Sequence, residues 1–352
     1  MSPYAQNIFL ILGTTIGAGI FSLPLALGSI GLIGFVCIIV VVGLLLARTN
    51  SFYREIVDGN SARHQLSGYV SHILGKTWGR LAAFLLSFSI CGALLAYLIL
   101  GGTFLSGFIS VSAEQGSYLF FVIATSLMIV GRKNLEVIDI WATVIKVVLL
   151  ISLVVIAFIT VTPASLANIP LVGGDPFIAY GSVLFAMTGI SIIPELRRTP
   201  HIKRSIFVAQ GIIAVLYIVF SVGLFPLLSG QRFLIGNGAL NALFNITGFF
   251  TVLTPYLLLS WVGFDAFTRD FLFKPRDAIA LVIIIPLLLF VSGFHGFLQV
   301  ISVTGSVFLG GTAILICSMY RTKFPGKYTG ATYFIQGIFL FGLLLEIIRH
   351  IP

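Results

Sequence analysis

The chain has 352 residues, 58% of them hydrophobic and 9% charged, with a formal net charge of +9 and a mean hydropathy of +1.12. So little charge cannot clothe a water-soluble surface, and the apolar stretches are too long and continuous for the alternating strands of an outer-membrane barrel. The basic residues lie in short clusters between apolar stretches, without a stripe or tail, which argues against a nucleic-acid partner.

At roughly 20 apolar residues per crossing, the sequence predicts eleven transmembrane spans, at about 6–27, 30–48, 79–108, 117–131, 136–160, 176–195, 205–228, 242–268, 277–294, 297–320 and 331–349. The first span contains Gly13 to Pro24 (GTTIGAGIFSLP), where Gly and Pro weaken a helix at bilayer depth. Freed N–H and C=O groups survive there only if the break is buried in protein or lines a cavity. Gly13 and Gly17 also read as a small-residue helix-packing motif. A phosphate loop fits less well, because Ser22 stands where the dinucleotide pattern needs Gly and no strand precedes it. Residues 51–76 are polar and hold a short predicted helix, Leu66–Leu74, most simply a connector.

The fifth span carries Lys146 about ten residues, or roughly 15 Å, from its start. A lysine at that depth is costly and a functional candidate by default. Burial favours the neutral amine, so it is suited to gain and lose a proton. A structural lysine paired with Glu136, Asp139 or a carbonyl is the alternative. The sixth span contains a second break, Phe185 to Pro194 (FAMTGISIIP). Glu195 stands beside Arg197 and Arg198, and Asp265 lies four residues before Arg269, as ion pairs near the inner face. Glu346, in the eleventh span, is close enough to Arg349 to pair with it. Cys37, Cys91 and Cys317 fall within apolar spans and read as small buried hydrophobes. The histidines lack metal-ligand spacing, and neither a catalytic triad nor paired intramembrane carboxylates occur, so no metal, cofactor or enzymatic role is expected. The first span lacks the basic start of a cleavable signal peptide.

Most of the basic residues follow even-numbered spans, from Arg48 to Arg80 after the second, then Arg132 and Lys133, Arg197 to Arg204, Arg269 to Arg276, and Arg321 to Lys327. Arg232 and Arg349 fall on the other side. Positive residues remain cytoplasmic, so the N-terminus is expected inside, in a cell membrane. Five spans separate the starts of the two broken helices. An odd number inverts the second unit, giving an inverted repeat over about 6–160 and 176–320, a core of 1–328, and an additional helix at 329–352. Paired breaks in such halves point to a transporter site near the bilayer midplane. Helix N-termini there suit a carboxylate, and bare carbonyls suit an ammonium or metal cation.

Several segments resemble an amino acid permease of the amino acid–polyamine–organocation superfamily. Gly13–Leu25 resembles its first-span signature, and Phe185–Leu196 the sixth-span signature of the auxin/amino acid permease branch. Thr254–Asp265 (TPYLLLSWVGFD) is similar to the eighth span of bacterial aromatic and hydroxy amino acid permeases, and Pro286 and Gly305 fit the same branch.

The resemblance implies an all-α, five-plus-five inverted-repeat (LeuT-like) fold. It implies that Ala18, Gly19 and Ile20 N–H groups, beside Gly17, bind a substrate carboxylate. Carbonyls of Phe185, Ala186 and Thr188, near Gly189 and Ile16, would face its ammonium. Cys91, Met187 and Ile190 are expected among the pocket walls. Sodium-coupled members hold an ion between first-span carbonyls, here Gly13 and Ile16, and eighth-span hydroxyls. Some proton-coupled members place a fifth-span lysine there, and Pro255 follows Thr254 where sodium-coupled relatives often have a second hydroxyl. The expected function is a proton-coupled symporter of a neutral or aromatic amino acid in a lipid bilayer. The alternatives are a sodium-coupled symporter, a proton-independent exchanger or a channel.

Overall fold

A computed structural model of the chain describes residues 2–60, 64–109, 111–130, 135–174, 176–229, 238–269, 271 and 273–349. Arg63, Arg132, Lys133 and Arg232 lie outside the described residues, as do the side chains of Glu136, Asp139, Arg269 and Arg349.

The described residues form an all-helical bundle. Helix α1 (Pro3–Thr15) starts under a Ser2 cap, whose Oγ accepts from Ala5 N at 3.3 Å, with Pro3 in its first turn. It stops at Ile16, where the backbone becomes extended (φ −75°, ψ 97°). A 3₁₀ turn (Ala18–Ser22) leads into α2 (Leu23–Asp58). The connector α3 (Leu66–Leu74) falls where it was predicted. Then come α4 (Lys76–Ser106), α5 (Ala113–Val130), α6 (Leu135–Thr160) and a short α7 (Pro163–Ala167). Helix α8 (Pro176–Met187) is followed by a second 3₁₀ segment (Ile190–Glu195), then α9 (Ile202–Ser229), α10 (Gly238–Arg269) and α11 (Pro275–Val291). The tenth apolar stretch is built in three parts: α12 (Phe297–Val303), a π segment (Thr304–Leu309) and α13 (Gly310–Lys323). Helix α14 (Thr329–Arg349) closes the chain.

Two boundaries differ from the hydropathy reading. The second apolar span was expected to end near residue 48, yet α2 continues to Asp58. Its extra turns are held by protein contacts: Thr49, Asn50, Phe52, Tyr53 and Arg54 are all buried. The gap expected between the first two spans shrinks to one residue, Gly31, at φ +78° inside α2. There the chain pairs briefly with the segment before α8. Leu32 N donates to Pro170 O (2.8 Å), Ile33 N to Leu171 O (3.2 Å) and Gly173 N to Ile30 O (2.9 Å). A Cβ on Gly31 would stand 2.6 Å from Val172 Cα. At φ +78° and ψ 165° the backbone lies in a region essentially reserved for glycine, costing another residue about 1–3 kcal/mol. Gly31→Ala is therefore expected to lower the thermal midpoint in detergent by several degrees, and an unchanged melting curve would contradict this account of the bend.

Cys37 is exposed, contrary to the sequence reading, because it lies on the outer face of α2, whereas Cys91 and Cys317 are buried.

Candidate functional site

The two interruptions meet. A Cβ added to Gly19 would lie 2.5 Å from Ala186 Cα and 2.7 Å from its Cβ, so the backbones touch at Gly19 and Ala186. Gly189 faces Thr15 in the same way, its hypothetical Cβ falling 2.5 Å from Thr15 Oγ1. Ile16, Ala18, Gly19, Ile20, Phe185 and Ala186 are buried. Neither break is a lipid-facing helix, which is the condition for irregular backbone at this depth.

The carbonyls that the breaks turn out of their helices are met by side chains from two other helices. Lys146 Nζ, on α6 and only 1% exposed, donates to Gly13 O at 2.8 Å and Ile16 O at 2.7 Å. Tyr217 Oη, on α9 and fully buried, lies 3.1 Å from Thr15 O and 3.0 Å from Ala186 O. Gln210, two turns earlier on the same helix, donates from Nε2 to Met187 O at 3.1 Å. On the donor side, Ile20 N bonds Gly17 O at 3.3 Å. The Ala18 and Gly19 N–H groups precede that first bond and have no acceptor within the 3₁₀ turn.

The expected residues are thus largely brought together, with particular differences. Ile20 N–H, expected at a substrate carboxylate, closes the 3₁₀ turn instead. Thr254, expected at the ion position, donates from Oγ1 to Phe250 O of its own helix at 3.1 Å. The Thr188 hydroxyl also bonds back into α8, to Leu184 O at 2.5 Å, which leaves its expected carbonyl role untouched. Tyr217 and Gln210 escaped the sequence reading. Their signal was two buried-type polar residues seven apart in an otherwise apolar span, hence on one helix face.

A cavity of about 110 Å³ opens against both breaks, touching Thr15, Gly17, Gly19, Phe185, Thr188 and Ile190. Its remaining walls are mostly apolar: Leu86, Ile90 and Ala93 of α4, Leu258 and Val262 of α10, and Leu309, with Ser89, Tyr97 and Thr312 among them. Thr15 Oγ1 is buried without a hydrogen-bond partner. Leu66 of α3 also lines the cavity, so the connector borders the site. Two expected wall residues point elsewhere. Cys91 lines a separate cavity of about 650 Å³ with Phe88, Leu95 and Phe308, because adjacent helical positions diverge by about 100° and Ile90 takes the inner side. The Met187 Cε lies 3.0 Å from where a Cβ on Gly43 of α2 would stand.

Beyond the site, the two ends of the molecule differ. At the predicted outer side, Phe21 packs its ring against Phe104 (4.8 Å between centroids), Phe220 (5.8 Å) and Phe244 (5.8 Å). At the basic end, Arg54 donates to Asp58 (2.7 Å) and to Ile193 O and Leu196 O (3.2 and 2.8 Å), and Arg198 also reaches Asp58 (3.2 Å). Asn7 and Arg197 exchange two hydrogen bonds of 2.9 Å, tying α1 to the chain after the second break. Glu55 takes Lys203 (2.5 Å), Lys327 (2.7 Å) and Tyr320 Oη (2.9 Å). Burial alone would raise the Glu55 carboxyl. The hydrogen bonds from Lys203, Lys327 and Tyr320 outweigh it and hold the group below its ordinary value of 4.5. Glu55 therefore stays ionised at neutral pH, and its pairs are lost only as the pH falls below that value. Arg198, expected beside Glu195, pairs with Asp58 on α2 because the chain after the second break turns back across that helix. Glu346 is buried and accepts from Ser302 Oγ at 3.0 Å on both oxygens.

Comparison with known proteins adds identity to this geometry. A family model described as "Transmembrane amino acid transporter protein" matches residues 3–225. The tyrosine-specific transport system 1 of Haemophilus influenzae is 24% identical over 388 aligned positions, spanning 98% of this chain and 96% of that protein. Among solved structures, MhsT in complex with L-phenylalanine superposes with a TM-score of 0.71 at 15% identity, covering 97% of both chains. A manganese transporter of Eremococcus coleocola gives 0.69 at 12% identity, over 98% of this chain and 85% of that one. The inward-facing conformation of Mhp1 gives 0.68 at 14%, over 99% and 89%. A fold shared with a manganese transporter does not name a substrate, but the family match spans well over half of the chain. The chain is a non-enzymatic, multi-pass membrane protein with the LeuT-like fold, and it belongs to the transmembrane amino acid transporter family of the amino acid–polyamine–organocation superfamily.

Proposed function

We propose that this transporter carries a neutral or aromatic amino acid together with protons, by alternating access between two inverted repeats, residues about 6–160 and 176–320, with 329–352 as an added helix. The observation that carries the proton reading is Lys146 Nζ against Gly13 O and Ile16 O. An ammonium fixed to the chain fills the carbonyl pair that a mobile cation would need, and once the helices part and the carbonyls are lost, burial favours its neutral form. Thr254 turns its hydroxyl into its own helix, which further disfavours sodium.

In this reading the substrate carboxylate meets the Ala18 and Gly19 N–H groups at the positive end of the 3₁₀ turn. Its ammonium meets the carbonyls of Phe185, Ala186 and Thr188, beside Ile16, Gly17 and Gly189. The apolar walls from α4 and α10 receive the side chain, which suits an uncharged substrate. The tyrosine transporter relative and the phenylalanine complex support an aromatic one.

Uptake of a labelled amino acid panel by proteoliposomes, with pH and sodium gradients imposed separately, tests this. Accumulation should follow the pH gradient and favour tyrosine, phenylalanine or tryptophan. Accumulation that needs sodium would replace the proton reading. Ohmic current without counterflow would replace the transporter by a channel.

A further inference from the structure

We propose that Tyr217 is a placeholder for the substrate ammonium: its hydroxyl occupies the Thr15 and Ala186 carbonyls while the site is empty and yields them when an amino acid binds. This rests on the amino acid reading above and deepens it by naming a positioning residue for one end of the substrate.

The argument starts from proton count. A phenol has one O–H to donate. Tyr217 Oη sits almost equidistant from two carbonyls, at 3.1 Å and 3.0 Å, one from each interrupted helix. Both separations are longer than the usual O–H···O distance of about 2.7–2.8 Å, as expected of one proton shared between two acceptors. One of the two carbonyls is therefore always under-served, and Tyr217 is fully buried, so the deficit arises inside the protein. Thr15 carries a second deficit, since its Oγ1 is buried, unpartnered and on the cavity wall. Two carbonyls thus share one phenolic proton, and beside them the Thr15 hydroxyl, able both to donate and to accept, is left unpartnered. A primary ammonium brings three N–H groups and supplies what the phenol cannot. Lys146 and Gln210 do not serve these atoms; they bond Gly13, Ile16 and Met187 carbonyls.

The placeholder also keeps the two helices tied in the absence of substrate, so binding exchanges one bridge for another. Release then requires Tyr217 to recapture the carbonyls. A strut and a placeholder differ in sign. If Tyr217 were a strut, Tyr217→Phe would loosen the site and weaken binding. If it is a placeholder, the same variant leaves both carbonyls without a donor in the empty state, so the substrate binds more tightly and leaves more slowly.

The test uses purified full-length protein in sodium-free choline buffer, with L-tyrosine as the probe. Tyr217→Phe is expected to bind L-tyrosine about tenfold more tightly than wild type, equivalent to about 1.4 kcal/mol. Its ligand-induced rise in melting temperature should be larger, and counterflow in proteoliposomes about fivefold slower because release is delayed. Weaker or unchanged binding by a variant that melts like wild type overturns the proposal while leaving the amino acid reading intact. Failure of the wild type to bind or exchange L-tyrosine overturns both.

A second measurement needs no variant. N-methyl-L-tyrosine retains two ammonium N–H groups and should compete within about fivefold of L-tyrosine, whereas N,N-dimethyl-L-tyrosine, with one, should be at least about tenfold poorer than the monomethyl compound. Equal competition by all three compounds overturns the proposal.

Discussion

Lys146→Met is expected to hold labelled amino acid inside proteoliposomes at the outside concentration, whatever pH gradient is imposed. A one-to-one proton symporter accumulates about tenfold per pH unit, because one unit is worth about 1.36 kcal/mol, and the variant has no proton carrier at that position. Methionine keeps an unbranched side chain of similar reach but lacks the Nζ that meets Gly13 O and Ile16 O. Two effects oppose each other in its stability. Two buried carbonyls lose a donor, at about 1–3 kcal/mol each, while the cost of a cation at bilayer depth, at least about 2.5 kcal/mol, disappears. The variant should therefore fold and still perform counterflow exchange. Tenfold accumulation per pH unit in Lys146→Met would remove the coupling role and leave Lys146 as a structural group.

Gly19→Ala carries the second large effect. The added methyl would meet Ala186 Cα at 2.5 Å and Ala186 Cβ at 2.7 Å, and neither is the end of a flexible side chain. The two interrupted helices must separate by about 1 Å to admit it, and misplacement of that size costs on the order of 100-fold in a pre-organised site. Transport below about 1% of wild type is expected, with the protein still present in the membrane. Gly17→Ala is the internal comparison. There the nearest atoms are Tyr97 Oη at 3.2 Å and Pro255 Cγ at 3.5 Å, both side-chain atoms that can give way, so the loss should be severalfold smaller. Equal effects of the two substitutions would contradict the contact between the breaks.

Much of this arrangement was legible in the chain because its signals are local. Glycine and proline inside an apolar run mark a break whatever surrounds them, and the short helix Leu66–Leu74 announced itself between polar flanks. The spacing of the breaks and basic clusters carries the expected inverted repeat. What remained hidden depends on contacts between distant segments. Cys91 and Ile90 are neighbours in sequence, and only the packing of α4 against the π segment and α10 decides which one faces the central cavity. Tyr217 shows only its seven-residue spacing from Gln210 in the sequence, and its partners are set once Thr15 and Ala186 are brought to its hydroxyl. The expected pairing of Arg198 with Glu195 failed for the same reason: Arg198 reaches Asp58 from a segment 140 positions away, past the nearer Glu195.

The four phenylalanine rings above the site carry a consequence for leakage. Phe21 belongs to the turn after the first break, Phe104 to α4, Phe220 to α9 and Phe244 to α10. Because Phe21 touches all three others, it cannot withdraw from one partner while keeping its seat on the rest. The seal should break as a unit, with few half-parted arrangements through which water and small ions could trickle.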